Sequence, residues 1–296
     1  MITQAIQDFA KCKGVTVGIC DPSPLDPKYL QSSTFTPFVS TDINKRTNPA
    51  AILPSVKSII VLGAGQEKSP QSLIDAESNT AELSTIGTTN DYHINIKTLL
   101  QELITIIDHH SAAVDNTYKI LVDSPTLDER AFAKRAGIGF FGRNGLIVSP
   151  QFGTRFNIGL LLTNIEIPAT PSTTKNKKCP PQCRHCINAC PGNALTADKP
   201  LNVNKCVSYL TQKAELSPEE KKLLGNQLYG CDICQDVCPL NTPRKKTYVN
   251  PNEWLSLDDT TLKEKYAHTA MLWKGTSILR RNAQAVTDNV RTHLLQ

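Results

Sequence analysis

The segment CPPQCRHCINACPGNA, residues 179–194, places four cysteines within twelve positions and follows the last of them with proline. A second group lies downstream, where Cys206 stands alone and Cys231 begins a C-x2-C-x3-C-P run. Eight of the ten cysteines in the 296-residue chain fall between residues 179 and 238. A disulfide framework in so long a chain would rarely be this concentrated, so the spacing indicates metal ligation.

The spacing is close to that of bacterial ferredoxins, C-x2-C-x2-C-x3-C-P, in which the fourth cysteine of each run binds the other cluster. Proline after that cysteine turns the chain away, because it cannot continue a helix. The same rule predicts two 4Fe–4S clusters, and eight cysteines fill the eight ligand positions. The first cluster takes Cys179, Cys183, Cys186 and Cys238, and the second takes Cys190, Cys206, Cys231 and Cys234. The chain departs from the ferredoxin pattern in the x3 spacing of CPPQC and in the displacement of Cys206 from its run.

Two structural zinc sites with four cysteines each are the alternative, because C-x2-C pairs also form zinc knuckles. Zinc sites usually take two ligands from each of two knuckles and make no use of a C-x2-C-x3-C-P run, so iron–sulfur clusters are favoured. His185 lies inside the first run, and we interpret it as exposed or adjacent to a cluster rather than as a ligand. Two clusters can pass single electrons in sequence, so this segment predicts electron transfer.

The composition indicates an ordinary globular protein, with 40% hydrophobic and 20% charged residues. No stretch approaches the ~20 apolar residues that cross a bilayer, and the N-terminal MITQAIQDFAKCKG lacks the pattern of a secretory signal. We therefore expect no membrane association and a cytoplasmic location, where thiols stay reduced. The net charge of +5 is compatible with an anionic partner without requiring one.

Apolar periodicity predicts alternating helices and strands ahead of the cysteines. Helices are predicted over residues 1–11, 91–110 and 127–137, and strands over 15–20, 58–65, 118–125, 145–150 and 156–167. The polar segment 67–90 is predicted to be a surface excursion. Strands that alternate with helices favour an α/β or α+β first domain.

The composition predicts three domains in an α+β chain. An α/β-like first domain spans residues 1–170, a ferredoxin-like double-cluster domain spans 171–245, and a helical tail spans 246–296. The segment PATPSTTKNKK, residues 168–178, has the composition of a linker.

The densest candidate for a reaction site in the first domain is the segment 122–159. Asp123 follows a predicted strand at its carboxyl end, where α/β sheets commonly place ligands. The glycines of GIGFFGRNG, residues 137–145, permit close approach of a ligand to the backbone. Taken alone, such aspartates and glycines are more often turn and cap residues than ligand contacts, and Arg130, Arg135 and Arg143 are more often solvated than functional.

Longer segments carry a more specific signal. VDSPTLDERAFAKRAGIGFFGRNG, residues 122–145, resembles the VDTGPLxER…RAGLGxxGKN segment of epoxyqueuosine reductases. KCVSYLTQK and GNQLYGCDICQDVCPLN resemble the double-cluster domain of that family, and DYH at 91–93 and the tail LRRN match further family positions. The similarity runs from about residue 10 to about residue 290, so the chain is identified as a member of this family.

The resemblance implies that the protein reduces the epoxide of epoxyqueuosine, at the wobble position of a tRNA anticodon, to the alkene of queuosine. It implies base-off cobalamin against the first domain, with electrons from the two clusters giving cob(I)alamin, which attacks the epoxide. Asp123 matches the family's proton donor to the opened oxygen, since a carboxylic acid in a dry pocket can supply that proton. Residues of the cofactor pocket would be Arg135, Gly142, Arg143 and Asn144. The expected partners are tRNA carrying epoxyqueuosine and an electron donor of the flavodoxin or ferredoxin type.

The chain also departs from the family. Arg143 replaces a lysine, which is not an equivalent donor, Gly145 replaces a polar residue, and the strand end at Gly65 lacks an aromatic residue. The sequence ends without the helical repeats with which longer members help bind tRNA. Six cations could contact phosphates instead or form a solvated basic face: Arg244, Lys245, Lys246, Lys274, Arg280 and Arg281. The rival functions are a related cobalamin and iron–sulfur reductase of a small molecule, and an electron-transfer protein without a corrinoid.

Overall fold

The computed structural model describes residues 1–30, 36–66, 80–112, 115–172, 174, 176–197 and 201–294. It contains two compact units, the first formed by Met1–Gly65 and His93–Cys183 and the second by Gln66–Tyr92 and Arg184–Gln296. The division of the chain into three domains stays a prediction. None of the described helices is long and apolar enough to cross a membrane.

The described helices are short apart from one near the N-terminus, one in the middle of the chain and one at the C-terminal end. They are α1 Ile2–Lys13, α2 Ile43–Thr47, α3 Tyr92–His110, α4 Glu129–Arg135, α5 His185–Ala189, α6 Val207–Leu210, α7 Pro218–Leu223, α8 Ile233–Asp236, α9 Pro251–Ser256, α10 Asp259–Tyr266 and α11 Thr276–Leu294. The strands are β1 Thr16–Cys20, β2 Ser58–Gly65, β3 Ala81–Leu83, β4 Tyr118–Val122, β5 Phe140–Phe141, β6 Ile147–Val148, β7 Phe156–Thr163, β8 Gln227–Tyr229 and β9 Thr247–Val249.

The first unit is built on a four-stranded sheet in the order β1-β2-β7-β4, and every neighbouring pair is antiparallel. Both faces of the sheet are covered. On β2, Ile59 and Val61 pack into the core on the α4 side, whereas Ile60 and Leu62 pack into the core formed with α1 and α3. A strand buried on both faces shows a continuous apolar run rather than an alternating pattern, which explains SIIVLGAG. The antiparallel pairing makes this unit α+β, so the α/β alternative is wrong.

Helix α3 packs on the sheet through a regular apolar stripe. Its buried residues recur every three or four positions, from Ile96 to Ile107, as expected for one face of a helix. The contact with β7 is close, because a Cβ atom on Gly159 would lie 2.3 Å from Ile96 Cγ2. The helix therefore needs a glycine at this point of the strand.

The segment predicted to be a linker packs against the first unit instead. Thr170 accepts a hydrogen bond from the Ile19 backbone N–H through its hydroxyl, and the buried Thr174 hydroxyl bonds to the carbonyls of Gly137 and Gly139. Threonine hydroxyls that bond to neighbouring backbone groups make a polar segment part of the fold. Composition alone cannot reveal such contacts.

The second unit contains a three-stranded sheet in the order β8-β3-β9, in which β3 is parallel to β8 and antiparallel to β9. Its core includes a Trp254–Tyr266 stack with ring centroids 4.2 Å apart, packed with one face of α11. The helical tail is therefore confirmed, with β9 as an additional strand. The surface excursion predicted for 67–90 is wrong for Ala81–Leu83, which is buried in this sheet. Residues 67–79 lie outside the described part of the chain.

Candidate functional site

Asp123 begins the loop that follows β4, and its backbone has an unusual conformation. Its φ is 50°, and Asn193 is the other described non-glycine residue with φ in the left-handed region. Residues other than glycine rarely adopt this backbone conformation, and among them aspartate and asparagine tolerate it best. The Asp123 carboxyl is 70% exposed, and its Oδ2 lies 3.9 Å from His93 Nε2 in the first turn of α3. The structure thus brings together His93, the last residue of the DYH segment, and Asp123, thirty residues further along the sequence.

The neighbouring Glu129 holds the Asp123 loop from the first turn of α4. Its Oε2 accepts a hydrogen bond from the Asp123 backbone N–H at 3.1 Å, and its Oε1 accepts one from the Ser124 N–H at 2.9 Å. Burial and the nearby charges of Asp123 and Asp128 raise the pKa of Glu129 to about 8, and the two N–H bonds oppose that rise. No motif or spacing in the sequence marks Glu129 as a functional residue. The one available signal was its place in the DER triplet, six residues after Asp123.

Helix α4 is fixed at its start by a buried ion pair. Asp128 caps the helix by accepting the Ala131 N–H, and its Oδ2 lies 2.6 Å from Arg46 Nη2. Arg46 is 5% exposed and Asp128 is 4% exposed. An aspartate at the N-cap accepts a hydrogen bond from a helix amide that has no partner within the helix. Because Glu129 directly follows this cap, the start of the helix fixes its position.

The GIGFFGRNG segment forms a tight hairpin between β5 and β6. Gly142 N–H donates to the Leu146 carbonyl at 2.8 Å, and the buried Asn144 side chain accepts the Leu146 N–H. Gly145 has φ 75°, a conformation that glycine adopts without strain. The glycine at the family's polar position is therefore explained by the turn.

The two arginines predicted to contact the cofactor both make bonds within the first unit. Arg135 donates to the carbonyls of Ser23 and Pro24, in the loop after β1. Arg143 Nη2 donates to the Pro181 carbonyl at 2.9 Å, whereas its Nε is buried without a hydrogen-bond partner in the described structure. Pro181 stands between Cys179 and Cys183, so Arg143 secures the beginning of the cysteine-rich segment.

Four thiols of the second unit lie close enough to affect one another's pKa. Burial, followed by the charges of Cys231, Cys206 and Cys190, raises the pKa of Cys234 well above its usual range. Burial likewise raises the pKa of Cys231 to about 12, with Cys206 and Cys190 among the further causes. These are the four cysteines assigned to the second cluster by spacing, so the residues present fit a four-thiolate site. Folding brings Cys206 to the other three across an intervening segment.

The four cysteines assigned to the first cluster are divided by the boundary between the units. Cys179 and Cys183 belong to the first unit, and Cys186 and Cys238 belong to the second. All four are free thiols, and their assignment as ligands stays a prediction. Among the described residues, no group of three or more His, Cys, Asp or Glu side chains is arranged to hold a single metal ion.

An ionic network lies beside the second run of cysteines. Asp232 accepts hydrogen bonds from the Thr85 N–H and hydroxyl at 2.8 and 2.7 Å, and Arg244 bonds to Asp236 and Glu82. Lys246 Nζ also lies 3.1 Å from a Glu82 oxygen. Asp232 follows Cys231 directly, so these contacts hold the cysteine loop to the β3 region.

Four of the six cations considered for phosphate contacts are engaged within the second unit. Arg244 and Lys246 belong to the network above, Arg280 pairs with Asp259, and Arg281 donates to the carbonyls of Lys213 and Ala214. Lys274 lies over the ring of the half-exposed Trp273, with Nζ 4.2 Å from the ring centroid. The basic residues of the tail therefore contribute to folding as well as to surface charge.

Comparison with known proteins decides the family. A family model described as a 4Fe-4S double cluster binding domain matches residues 178–241, and one described as epoxyqueuosine reductase QueG, DUF1730, matches residues 46–124. An epoxyqueuosine reductase of Staphylococcus aureus is 32% identical over 305 residues, covering 95% of this chain and 78% of the relative. This chain belongs to the epoxyqueuosine reductase family. The match confirms the resemblance seen in the sequence and the oxidoreductase class, and it confirms iron–sulfur clusters over zinc.

Solved structures of epoxyqueuosine reductases share the fold. The structure from Streptococcus thermophilus is 30% identical, with a TM-score of 0.85, and the match covers 98% of this chain and 81% of that one. An epoxyqueuosine reductase solved with a tRNA-Tyr epoxyqueuosine-modified stem loop is 28% identical, with a TM-score of 0.84 over 98% and 82% of the two chains. The α+β fold class is therefore confirmed.

Proposed function

We propose that this protein reduces epoxyqueuosine to queuosine in tRNA, the last step of queuosine formation. The observation that carries the proposal is the alignment with an epoxyqueuosine reductase of Staphylococcus aureus, which is 32% identical and covers 95% of this chain. That match includes the segments of the Asp123 loop and of the cysteines in one polypeptide. Conversion of an epoxide to an alkene consumes two electrons and two protons and releases water, so the protein must supply both an electron path and a proton donor.

The electron path is the double-cluster domain. The proposed ligand sets are Cys179, Cys183, Cys186 and Cys238 for one cluster and Cys190, Cys206, Cys231 and Cys234 for the other. The grouping of the last four thiols, seen in their mutual effect on pKa, supports the second set. We further propose a flavodoxin- or ferredoxin-type electron donor and a cytoplasmic location, where thiols stay reduced during cluster assembly.

We propose cobalamin as the third cofactor, held against the first unit. When bound and reduced, it supplies a strongly nucleophilic cobalt centre that can open an epoxide. The buried Nε of Arg143, which lacks a partner in the described structure, fits an acceptor such as a corrin amide carbonyl. Gly142 and Asn144 would shape the wall at the hairpin. Arg135, at the end of α4, would hold that helix to the loop after β1.

Asp123 is the proposed proton donor to the opened epoxide oxygen. Its carboxyl projects from the end of β4 with 70% exposure, so it can reach a substrate outside the unit. A proton donor of this kind is expected in a site without water, whereas the Asp123 side chain is exposed in this structure. In the proposed reaction, bound cofactor and substrate would exclude water from it. His93 lies close enough to exchange a hydrogen bond with Asp123 after a small movement.

The test is anaerobic turnover by protein reconstituted with clusters and cobalamin, using a low-potential reductant and tRNA bearing epoxyqueuosine. Nucleoside mass spectrometry should show loss of one oxygen, abolished in Asp123→Asn and retained in the exposed control Asp8→Asn. Loaded clusters and bound cobalamin with no oxygen loss would favour the small-molecule reductase. Loaded clusters without cobalamin binding would favour the electron-transfer protein.

A further inference from the structure

The backbone of Asp123 needs an explanation beyond the chemistry of its carboxyl. Its φ of 50° is in the left-handed region although it is not glycine. Such a conformation persists where the surrounding contacts enforce it, and these residues concentrate at functional sites. The direction of the Asp123 side chain depends on this backbone torsion, so whatever holds the torsion also aims the carboxyl.

The contact that holds the torsion is the Glu129 carboxylate. Each of its two oxygens accepts one of two successive backbone N–H groups, from Asp123 at 3.1 Å and from Ser124 at 2.9 Å. Two hydrogen bonds from adjacent amides to the two oxygens of one carboxyl group restrain the peptide between these residues. Asp123 and Ser124 are therefore fixed through their backbone, leaving the Asp123 carboxyl exposed.

The ordinary explanation of Glu129 is that an acidic residue in the first turn of a helix is stabilised by the helix dipole. That explanation does not require both oxygens to turn toward the loop after β4. The capping role at this helix is taken by the preceding Asp128, through the Ala131 N–H. Glu129 is thus free of the cap and placed on a rigid helix start.

We propose that Glu129 is a positioning residue for the proton donor, holding the Asp123 backbone in its left-handed conformation and thereby aiming the Asp123 carboxyl at the substrate. The inference rests on the proposed function, in which Asp123 delivers the proton. In this role Glu129 acts through the Asp123 and Ser124 backbone and not by contact with substrate or cofactor.

The surroundings of Glu129 disfavour its ionised form, so the role rests on the two hydrogen bonds and not on its charge. Burial raises its pKa to about 8, with a further rise from the charges of Asp123 and Asp128 and a counteracting effect of the two N–H bonds. A carboxyl between two aspartates is an unfavourable arrangement for folding alone. The two amide bonds are the described contacts that favour its ionised form.

Glu129→Gln tests the proposal, because a glutamine offers one carbonyl oxygen and its NH2 group cannot accept a hydrogen bond. We expect kcat to fall at least tenfold, with KM for tRNA, iron content and cobalamin binding within twofold of wild type. Amide hydrogen exchange of a peptide covering residues 121–127 should accelerate at least tenfold. The matched control is Glu102→Gln, a carboxylate on α3 paired with Lys13, which should change neither quantity.

The proposal is overturned if Glu129→Gln has loaded clusters and the kcat of wild type. It is also overturned if iron content and kcat both fall while amide exchange of residues 121–127 stays unchanged. If the variant does not fold, the wild-type protein still decides. Amides of Asp123 and Ser124 that exchange as fast as an unprotected loop would refute the restraint. Absence of wild-type turnover would instead count against the proposed function. Accelerated exchange in the variant would still show that Glu129 restrains the Asp123 and Ser124 backbone.

Discussion

Replacing Arg46 by methionine should lower the free energy of unfolding by about 3–5 kcal/mol, the usual cost of leaving one buried charge without its partner. Arg46 and Asp128 are 5% and 4% exposed, and Nη2 lies 2.6 Å from Oδ2. In the variant, the Asp128 carboxylate would keep its cap on α4 but lose its buried cation, and the nearest remaining cation would be the partly exposed Arg130, whose Nη2 lies 3.8 Å from Oδ2. The helix that carries Glu129 would be the element most affected.

Asp128→Asn should cost a similar amount, because asparagine retains the N-cap acceptor while Arg46 loses the Asp128 carboxylate. The double variant Arg46→Met/Asp128→Asn contains neither charge. Its loss should therefore be smaller than the sum of the two single losses by about 3 kcal/mol, a coupling typical of residues in direct contact.

The assay is anaerobic urea unfolding of the cluster-loaded chain, followed by far-UV circular dichroism, with the four proteins of the cycle measured at one pH. The pair Lys13–Glu102, whose side chains are 39% and 42% exposed, provides a matched cycle with Lys13→Met and Glu102→Gln. Its coupling should be at most about 1 kcal/mol. A coupling for Arg46 and Asp128 no larger than that of the exposed pair would refute the reasoning.

Three further predictions follow from single contacts. Because the pKa of Glu129 is raised from 4.5 to about 8 on folding, the folded state binds that proton more tightly than the unfolded state. The stability of wild type relative to Glu129→Gln should therefore fall between pH 5 and pH 9, on the order of 3 kcal/mol; a difference that does not vary with pH contradicts this. Arg143→Ala should make iron loss to a chelator faster than in wild type, since it frees the Pro181 carbonyl beside the proposed first cluster, and equal rates would count against this contact. Asn282→Ala leaves two buried carbonyls without their donor and should cost about 2–4 kcal/mol in urea unfolding; a loss below about 1 kcal/mol would show that water replaces the amide.

The strongest sequence signals were those that depend on neighbours along the chain. The cysteine runs were interpreted as two clusters from spacing alone, and the double-cluster family model covers residues 178–241. The continuous apolar run of β2 and the helical stripe of α3 also appear directly in the sequence. Each of these patterns reports a local geometry, either the reach between thiolates or the face that an element buries.

The sequence alone determined the elements of the first sheet, the two groups of cysteines and the position of Asp123 at the end of a strand. It did not determine that the sheet is antiparallel, that Ala81–Leu83 is a buried strand, or that Thr174 is buried. Nor did it indicate that Glu129 bonds to the Asp123 backbone or that Arg143 reaches Pro181. These features depend on contacts between segments distant in sequence or on the orientation of a single side chain. Only the tertiary structure fixes such contacts, because they arise when separate elements pack and not from the pattern of any one element.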